Sequence, residues 1–271
     1  MCRLLGVVAP EPTRLADQLV SEIKPFTDLA AIHCDGWGIS YWSDRDDLVT
    51  CKAPETALSS TTYRRAIDQA CTDAAILHLR KASAGMANVA TNTHPFAAGS
   101  VAFAHNGYFS PLGPVEQLVE ASAPRTYEGA TDSERYFALV LAGIRRGPPA
   151  EALSKAVTEI AAVAEVVSLN ALLLTHDALY AIAYYDEQVI EAQDGDIASW
   201  ALKYRVEGET VVVASSGWDQ EAPHWDVLAN RSVLEVRRKD RRITVHKLSG
   251  SPPRNLVKSS ETVRFSHLGL V

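Results

Sequence analysis

Met1-Cys2-Arg3-Leu4-Leu5-Gly6-Val7-Val8 opens the chain, and the reading of this stretch decides the fold. Residues 4–8 form a short apolar run that predicts a buried strand, which would anchor the terminus instead of leaving it to fray. A cysteine directly behind the initiator methionine becomes the first residue if Met1 is excised. It then carries a thiol and a free α-amine together. Their reference pKa values, about 8.5 and roughly 7.7–8.0, let the amine serve as general base for the thiol near neutral pH, with no separate histidine. The other reading of Cys2 is an ordinary small residue after a start codon.

Outward from this strand, residues 11–24 carry Leu15, Leu19 and Ile23 at helical spacing, with Pro12 suited to a helix start. A helix is expected there. In His33-Cys34-Asp35-Gly36-Trp37-Gly38-Ile39-Ser40-Tyr41-Trp42 two glycines bracket an aromatic residue ahead of an alternating strand, a pattern that predicts close backbone approach. Strands are expected at 48–51 and 74–80, a helix at 61–71, and a long loop over 81–96, rich in Ser, Asn, Thr and Gly. Ser100-Val101-Ala102-Phe103-Ala104-His105-Asn106-Gly107 reads as a strand closing on Asn-Gly. That pair can present a side-chain amide and a backbone N–H in one direction, or simply make a hairpin turn.

Thr131 or Asp132 caps an apolar helix that runs to residue 144, and a second helix is expected over 149–166. Strands then follow at 169–175, 178–185, 198–204, 210–215, 232–237 and 242–248. Strands, two adjacent helices and strands again fit helices layered on antiparallel sheets better than regular β-α-β alternation. One domain over residues 2–250 is expected, with a tail at 251–271 that contains Pro252-Pro253.

At 271 residues with 47% hydrophobic content, the chain is long enough for one large core. A net charge of −7 argues against a general nucleic-acid binder, and the basic cluster at 237–242 suits an exposed hairpin edge. No stretch approaches the roughly 20 apolar residues of a membrane span, so no membrane partner is expected. The four cysteines form no CxxC pair and follow nothing like a signal peptide, which points to a reducing cytoplasm. The eight histidines lack metal-ligand spacing, so no metal is expected. His33-Cys34-Asp35 cannot act as a triad, because consecutive strand residues point to opposite faces. Trp218 and Trp225 are read as core or as flanks of a pocket.

Six short pieces, taken in order, resemble the class II glutamine amidotransferases: residues 1–6, Asp35-Gly36-Trp37-Gly38, His78-Leu79-Arg80-Lys81-Ala82-Ser83, Thr93-His94-Pro95-Phe96, His105-Asn106-Gly107 and Thr131-Asp132-Ser133-Glu134. The resemblance implies an α+β fold, the four-layer αββα sandwich of N-terminal-nucleophile hydrolases with two antiparallel sheets, and hydrolysis of a glutamine side-chain amide without a cofactor. It implies Cys2 as nucleophile and Asn106 and Gly107 as the oxyanion hole. Arg80 would hold the substrate α-carboxylate and Asp132 its α-ammonium. Ser83 and Trp37 would also bind substrate. Independent readings of Arg80 and Asp132 are a surface ion-pair residue and a helix cap.

Lys81 and Ala84 stand where the synthases usually carry an aromatic residue and a histidine, which resembles the small stand-alone branch that includes the ergothioneine-pathway γ-glutamyl amidohydrolase. The small-molecule substrate is therefore expected to be glutamine or a γ-glutamyl compound. Any ammonia is expected to be released or passed to a separate synthetase subunit. The contrasting reading is a non-catalytic subunit that binds glutamine within a larger amidotransferase complex.

Overall fold

Two antiparallel sheets carry the fold in a computed structural model that describes residues 1–122, 127–193, 195–221 and 224–248. In chain order the strands are β1 (Arg3–Arg14), β2 (Gly36–Trp42), β3 (Leu48–Ala53), β4 (Cys71–Arg80), β5 (Phe96–Ala98), β6 (Val101–Ser110), β7 (Glu165–Leu174), β8 (Ala178–Ala183), β9 (Leu202–Glu207), β10 (Thr210–Ser215), β11 (Asp226–Val227), β12 (Ser232–Arg237) and β13 (Ile243–Lys247). One sheet has the order β11-β9-β10-β1-β4-β2-β3 and the other β13-β12-β8-β7-β6-β5.

Side-chain alternation assigns each face. Leu4, Val8 and Ile76 on the first sheet meet Ala104, Leu172 and Leu174 on the second, forming a dry layer between the sheets. The opposite parity, Leu5, Val7, Leu77 and Leu79, packs under the helices α1 (Leu15–Gln18), α2 (Ile23–Asp28) and α3 (Thr61–Gln69). On the far side, Phe103 and Leu173 pack under α4 (Leu112–Ser122), α5 (Asp132–Ile144) and α6 (Pro149–Val163). A short α7 (Glu187–Ala192) follows β8. This is the αββα sandwich that the resemblance implied. Each fully buried Leu or Phe contributes about 1.5–3 kcal/mol, so three stacked apolar layers hold the two strand ends that matter for chemistry.

Gly36 and Gly38 bear out the expected close approach. A Cβ on Gly38 would stand 2.0 Å from the His94 carbonyl oxygen and 2.7 Å from Pro95 Cδ, because the His94-Pro95 backbone is laid across β2. Gly38→Ala is expected to cost about 1–3 kcal/mol, the usual range for overfilling a packed site. A lowered urea midpoint at unchanged slope would show it; an unchanged midpoint would mean that this loop is not seated on β2.

Several elements differ from the sequence reading. The helix expected over 11–24 is the end of β1 followed by α1 and α2. Thr13 and Arg14 pair with Thr72 and Cys71 of β4, and Pro10 and Pro12 fall in the register break after Val8, where a missing N–H costs no ladder bond. Leu15 and Leu19 are buried as their spacing suggested, but strand pairing takes the residues before them. The segment 198–204 opens with a 3₁₀ turn, Ile197–Trp200, before β9. Helices α4 and α7 were not anticipated, although Leu112, Val115 and Val119 have helical spacing. Thr131 does cap α5, accepting from the Glu134 N–H at 3.2 Å. The expected tail at 251–271 lies outside the described residues. Among the described residues no helix is long and apolar enough to cross a membrane.

Candidate active site

The start of β1 and the end of β4 lie side by side at one end of the sandwich. Arg3 pairs with Leu79 and Leu4 with His78, so one further step places Cys2 beside Arg80. Leu4 and Ile76 point into the gap between the sheets; by alternation Cys2 and Arg80 do so too. From the facing sheet, Ala102 and Ala104 of β6 point into the same gap, and Asn106 has their parity. Cys2, Arg80 and Asn106 are thereby directed at one space by register alone.

Asn106-Gly107 is not a hairpin turn. Asn106 pairs with Asn170 and Gly107 with Leu169, so both sit inside β6. A Cβ at Gly107 would stand 1.9 Å from the Ser168 carbonyl oxygen, so glycine is required for β7 to pair closely there. The Asn106 side chain is completely buried, and neither its Nδ2 nor its Oδ1 has a hydrogen-bond partner among the described residues. An unsatisfied buried polar group costs about 1–3 kcal/mol, so a buried side-chain amide with both ends unpaired calls for an explanation.

Cys2 is half-buried, and its Sγ–H points at the Lys81 carbonyl oxygen, 3.7 Å away. Burial pushes the thiol pKa up, while the terminal amine and Arg80 pull it down and Asp132 adds to the rise. Burial, with Arg3 and Lys81 as neighbouring cations, holds the Met1 α-amine below its ordinary value, although Cys2 opposes this. His33, buried and bonded to the Met1 backbone, is held down to about 3 by burial and by Arg3. The raised thiol is held in its neutral form, and it needs to lose its proton before it can attack.

Arg80 is buried and clamped. Its NH1 donates to Asn88 Oδ1 at 2.6 Å and to the Asp35 carbonyl at 3.4 Å, and NH2 donates to the Ala87 carbonyl at 3.3 Å. The Asp35 carboxylate in turn accepts from the Ala82 N–H at 2.8 Å and Asn88 Nδ2 at 3.1 Å. The long loop expected over 81–96 is thus folded back onto Arg80. Three of the five guanidinium donors are engaged by these bonds.

Asp132 heads α5, where its Oδ2 accepts from the Phe109 N–H at 3.2 Å and its Oδ1 from the Ser133 N–H at 2.9 Å. Phe109 lies at a register break in the β6–β7 ladder. The carboxylate is therefore set against the end of β6, three strand residues beyond Asn106.

Trp37 and Ser83, also expected to bind substrate, differ in where they lie. Trp37 has the outward parity of Ile39 and is buried under α3, its ring 5.3 Å from that of Tyr63; it is not in the inter-sheet gap. Ser83 is exposed in a turn closed by the Met86 N–H on its carbonyl. Sequence reasoning also missed the Asp35–Asn88 clamp and three buried histidines. The His78 and His94 rings lie tilted at 33° to each other with centroids 4.2 Å apart, and burial holds His78 down to about 3 and lowers His94 and His105 as well. Their burial was foreshadowed by apolar neighbours in Ile76-Leu77-His78-Leu79 and Phe103-Ala104-His105. Trp218 packs edge-to-face on Phe26 and on Trp225 in the outer layer, where both tryptophans are partly buried.

Comparison with known proteins agrees with this geometry. A sequence profile for glutamine amidotransferases class-II matches residues 1–194. The probable glutamine amidotransferase DUG3 of Saccharomyces cerevisiae is 26% identical over 161 residues, which is 52% of this chain and 45% of the yeast protein. The match thus spans under half the length of that relative. A glutamine aminotransferase class-II domain protein from Silicibacter pomeroyi superposes with a TM-score of 0.66 at 20% identity, covering 92% of this chain and 100% of that one. Glutamine phosphoribosylpyrophosphate amidotransferase from B. subtilis, complexed with ADP and GMP, superposes with a TM-score of 0.62 at 16% identity over 93% of this chain and 50% of its own. At these identities the superpositions show a shared fold.

Proposed function

The chain belongs to the class II glutamine amidotransferases, and from its site we propose that it cleaves the γ-amide of glutamine or of a γ-glutamyl compound with Cys2, freed of Met1, as nucleophile. The observation that carries this reading is Asn106, a buried amide with no partner among the described residues that shares the inter-sheet gap with Cys2. A substrate carbonyl oxygen would supply the missing acceptor, and more strongly once it becomes an oxyanion.

In the proposed cycle the α-amine takes the Sγ proton and the sulfur attacks the amide carbon. The oxyanion is held by Asn106 Nδ2–H and the Gly107 N–H. Collapse breaks the C–N bond, and the α-ammonium gives its proton to the departing nitrogen, which leaves as ammonia or an amine. Water then attacks the γ-glutamyl thioester, passes a proton to the amine, and returns the thiol and glutamate. Burial raises the Cys2 thiol, so the base must collect its proton at the moment of attack. Arg80 receives the α-carboxylate with its remaining donors and Asp132 the α-ammonium. Ammonia released in this way is available to water or to a separate synthetase subunit.

Protein that begins at Cys2 is expected to form glutamate from glutamine or a γ-glutamyl amide, and failure with a panel of both overturns the reading. Arg80→Lys is expected to raise KM by about 10- to 100-fold with little change in kcat, as a bidentate charge-assisted contact is lost. A γ-amide lacking the α-carboxylate should be poor for both proteins; equal turnover with and without it would remove Arg80 from the site.

A further inference from the structure

Behind Asp132 lies a buried line of polar atoms that the chemistry above does not use. His105 Nε2 is 3.1 Å from the Ser168 carbonyl oxygen on β7, and its Nδ1 is 2.9 Å from Ser133 Oγ. Ser133 Oγ is also 3.3 Å from Asp132 Oδ1. His105, Ser133 and Ser168 are all buried. The other groups around His105 are the Tyr136 ring of α5, in edge contact at 5.5 Å, and the His78 ring of β4, which lies near the His105 backbone.

Donors and acceptors fix how this line works. A carbonyl oxygen only accepts, so the Nε2 contact requires a proton on Nε2. Burial keeps the ring neutral, which leaves Nδ1 as an acceptor. The single Ser133 hydroxyl hydrogen therefore has two acceptors, Nδ1 and the Asp132 carboxylate, and serves one at a time. A carboxylate has about four lone-pair sites. On Asp132 the Phe109 N–H, the Ser133 N–H and the Ser133 hydroxyl can occupy three of them.

We propose that Ser133 and His105 are positioning residues for the substrate's α-ammonium: the Ser133 hydroxyl steadies Asp132 in the empty site and moves to His105 Nδ1 when the ammonium arrives. Substrate then gains a lone pair on a carboxylate already held by two backbone N–H groups, and no buried group is left unpaired. The inference rests on the assignment of Asp132 to the ammonium. It makes selectivity for a free α-amine a property of a line that reaches from α5 to β7.

Two measurements on protein that begins at residue 2 test it. Ser133→Ala is expected to lower KM for glutamine by about five- to tenfold, because the ammonium no longer has to displace the hydroxyl from the charged Asp132 carboxylate for a weaker bond to a neutral ring, with kcat within twofold. KM for 4-carbamoylbutanoate, which is glutamine without the α-amine, should not change, and Ser133→Thr should behave as wild type. A merely structural role would raise both KM values alike, and that result, or no change in either, overturns the inference. Wild type that does not prefer glutamine over 4-carbamoylbutanoate overturns the Asp132 assignment itself, and the line with it. In the Cys2→Ala protein, glutamine should move the His105 Nδ1 nitrogen resonance toward its hydrogen-bonded position, and Ser133→Ala should abolish that movement. An unmoved resonance at saturating glutamine contradicts the handover.

Discussion

Protein that retains Met1 is expected to turn over glutamine about 10²–10⁴-fold more slowly than protein that begins at Cys2, the usual contribution of a positioned general base. With Met1 attached, the Cys2 nitrogen is an amide and accepts no proton. The free amine then belongs to Met1, one residue away, in a half-buried position beside Cys2 and Lys81. Burial pushes the Cys2 thiol up, so the thiol does not ionise unaided in compensation. The comparison is made between processed protein and protein carrying a non-cleavable extension before Cys2, with mass spectrometry to verify each terminus. Equal rates would show that the α-amine is not the base.

Asn106→Ala is expected to lower kcat by about 10²–10³-fold, the cost of one oxyanion donor, while leaving KM within a few-fold. The split follows from timing, since the Asn106 amide meets the substrate oxygen most strongly when that oxygen is tetrahedral and negative. It also follows from the fold: Asn106 lies within β6 between buried pairs, so alanine is accommodated and the orphaned donor of the native site is removed. Folding stability should therefore hold or rise, because the unpaired amide costs free energy when no substrate is bound. A mutant whose kcat and KM both stay near wild type would leave the buried amide without a catalytic role. Asn106→Asp should be at least as damaging, because a carboxylate repels the nascent oxyanion.

The parts of the site that proved legible are those carried by short contiguous motifs. Residues 4–8 read as a buried strand because they are apolar without a break, and Thr131 or Asp132 read as a cap because a capping side chain precedes an apolar helical pattern. Asn106-Gly107 was open between a turn and an oxyanion hole, since the pair suits both; only the β6–β7 ladder, with Ser168 pressed against Gly107, decides for a strand interior. Trp37 shows why parity was not readable. Both faces of each sheet are covered, one by helices and one by the other sheet, so apolar residues occur at odd and even positions alike. Alternation separates Trp37 from Gly36 and Gly38 but does not say which set faces the gap. The Pro12 region failed for a related reason: Leu15 and Leu19 have helical spacing, yet Thr13 and Arg14 pair with Thr72 and Cys71 of β4, contacts far away in sequence. The Asp35–Asn88–Arg80 clamp and the His105–Ser133 line are likewise non-local, and no pattern in either segment announces the other.

The central claim is that Cys2, as a free N-terminal residue, is the nucleophile of a site that holds a glutamine-like head group. Its most direct measurement is intact and peptide-level mass after exposure to a glutamine-like diazoketone, with and without excess glutamine. The account predicts one adduct per chain, located on Cys2, in protein that begins at Cys2, suppressed by glutamine and absent when Met1 is retained. An unlabelled Cys2 with a verified free terminus, or labelling spread over Cys34, Cys51 and Cys71 and indifferent to glutamine, would contradict it and favour a subunit that keeps the fold without the chemistry.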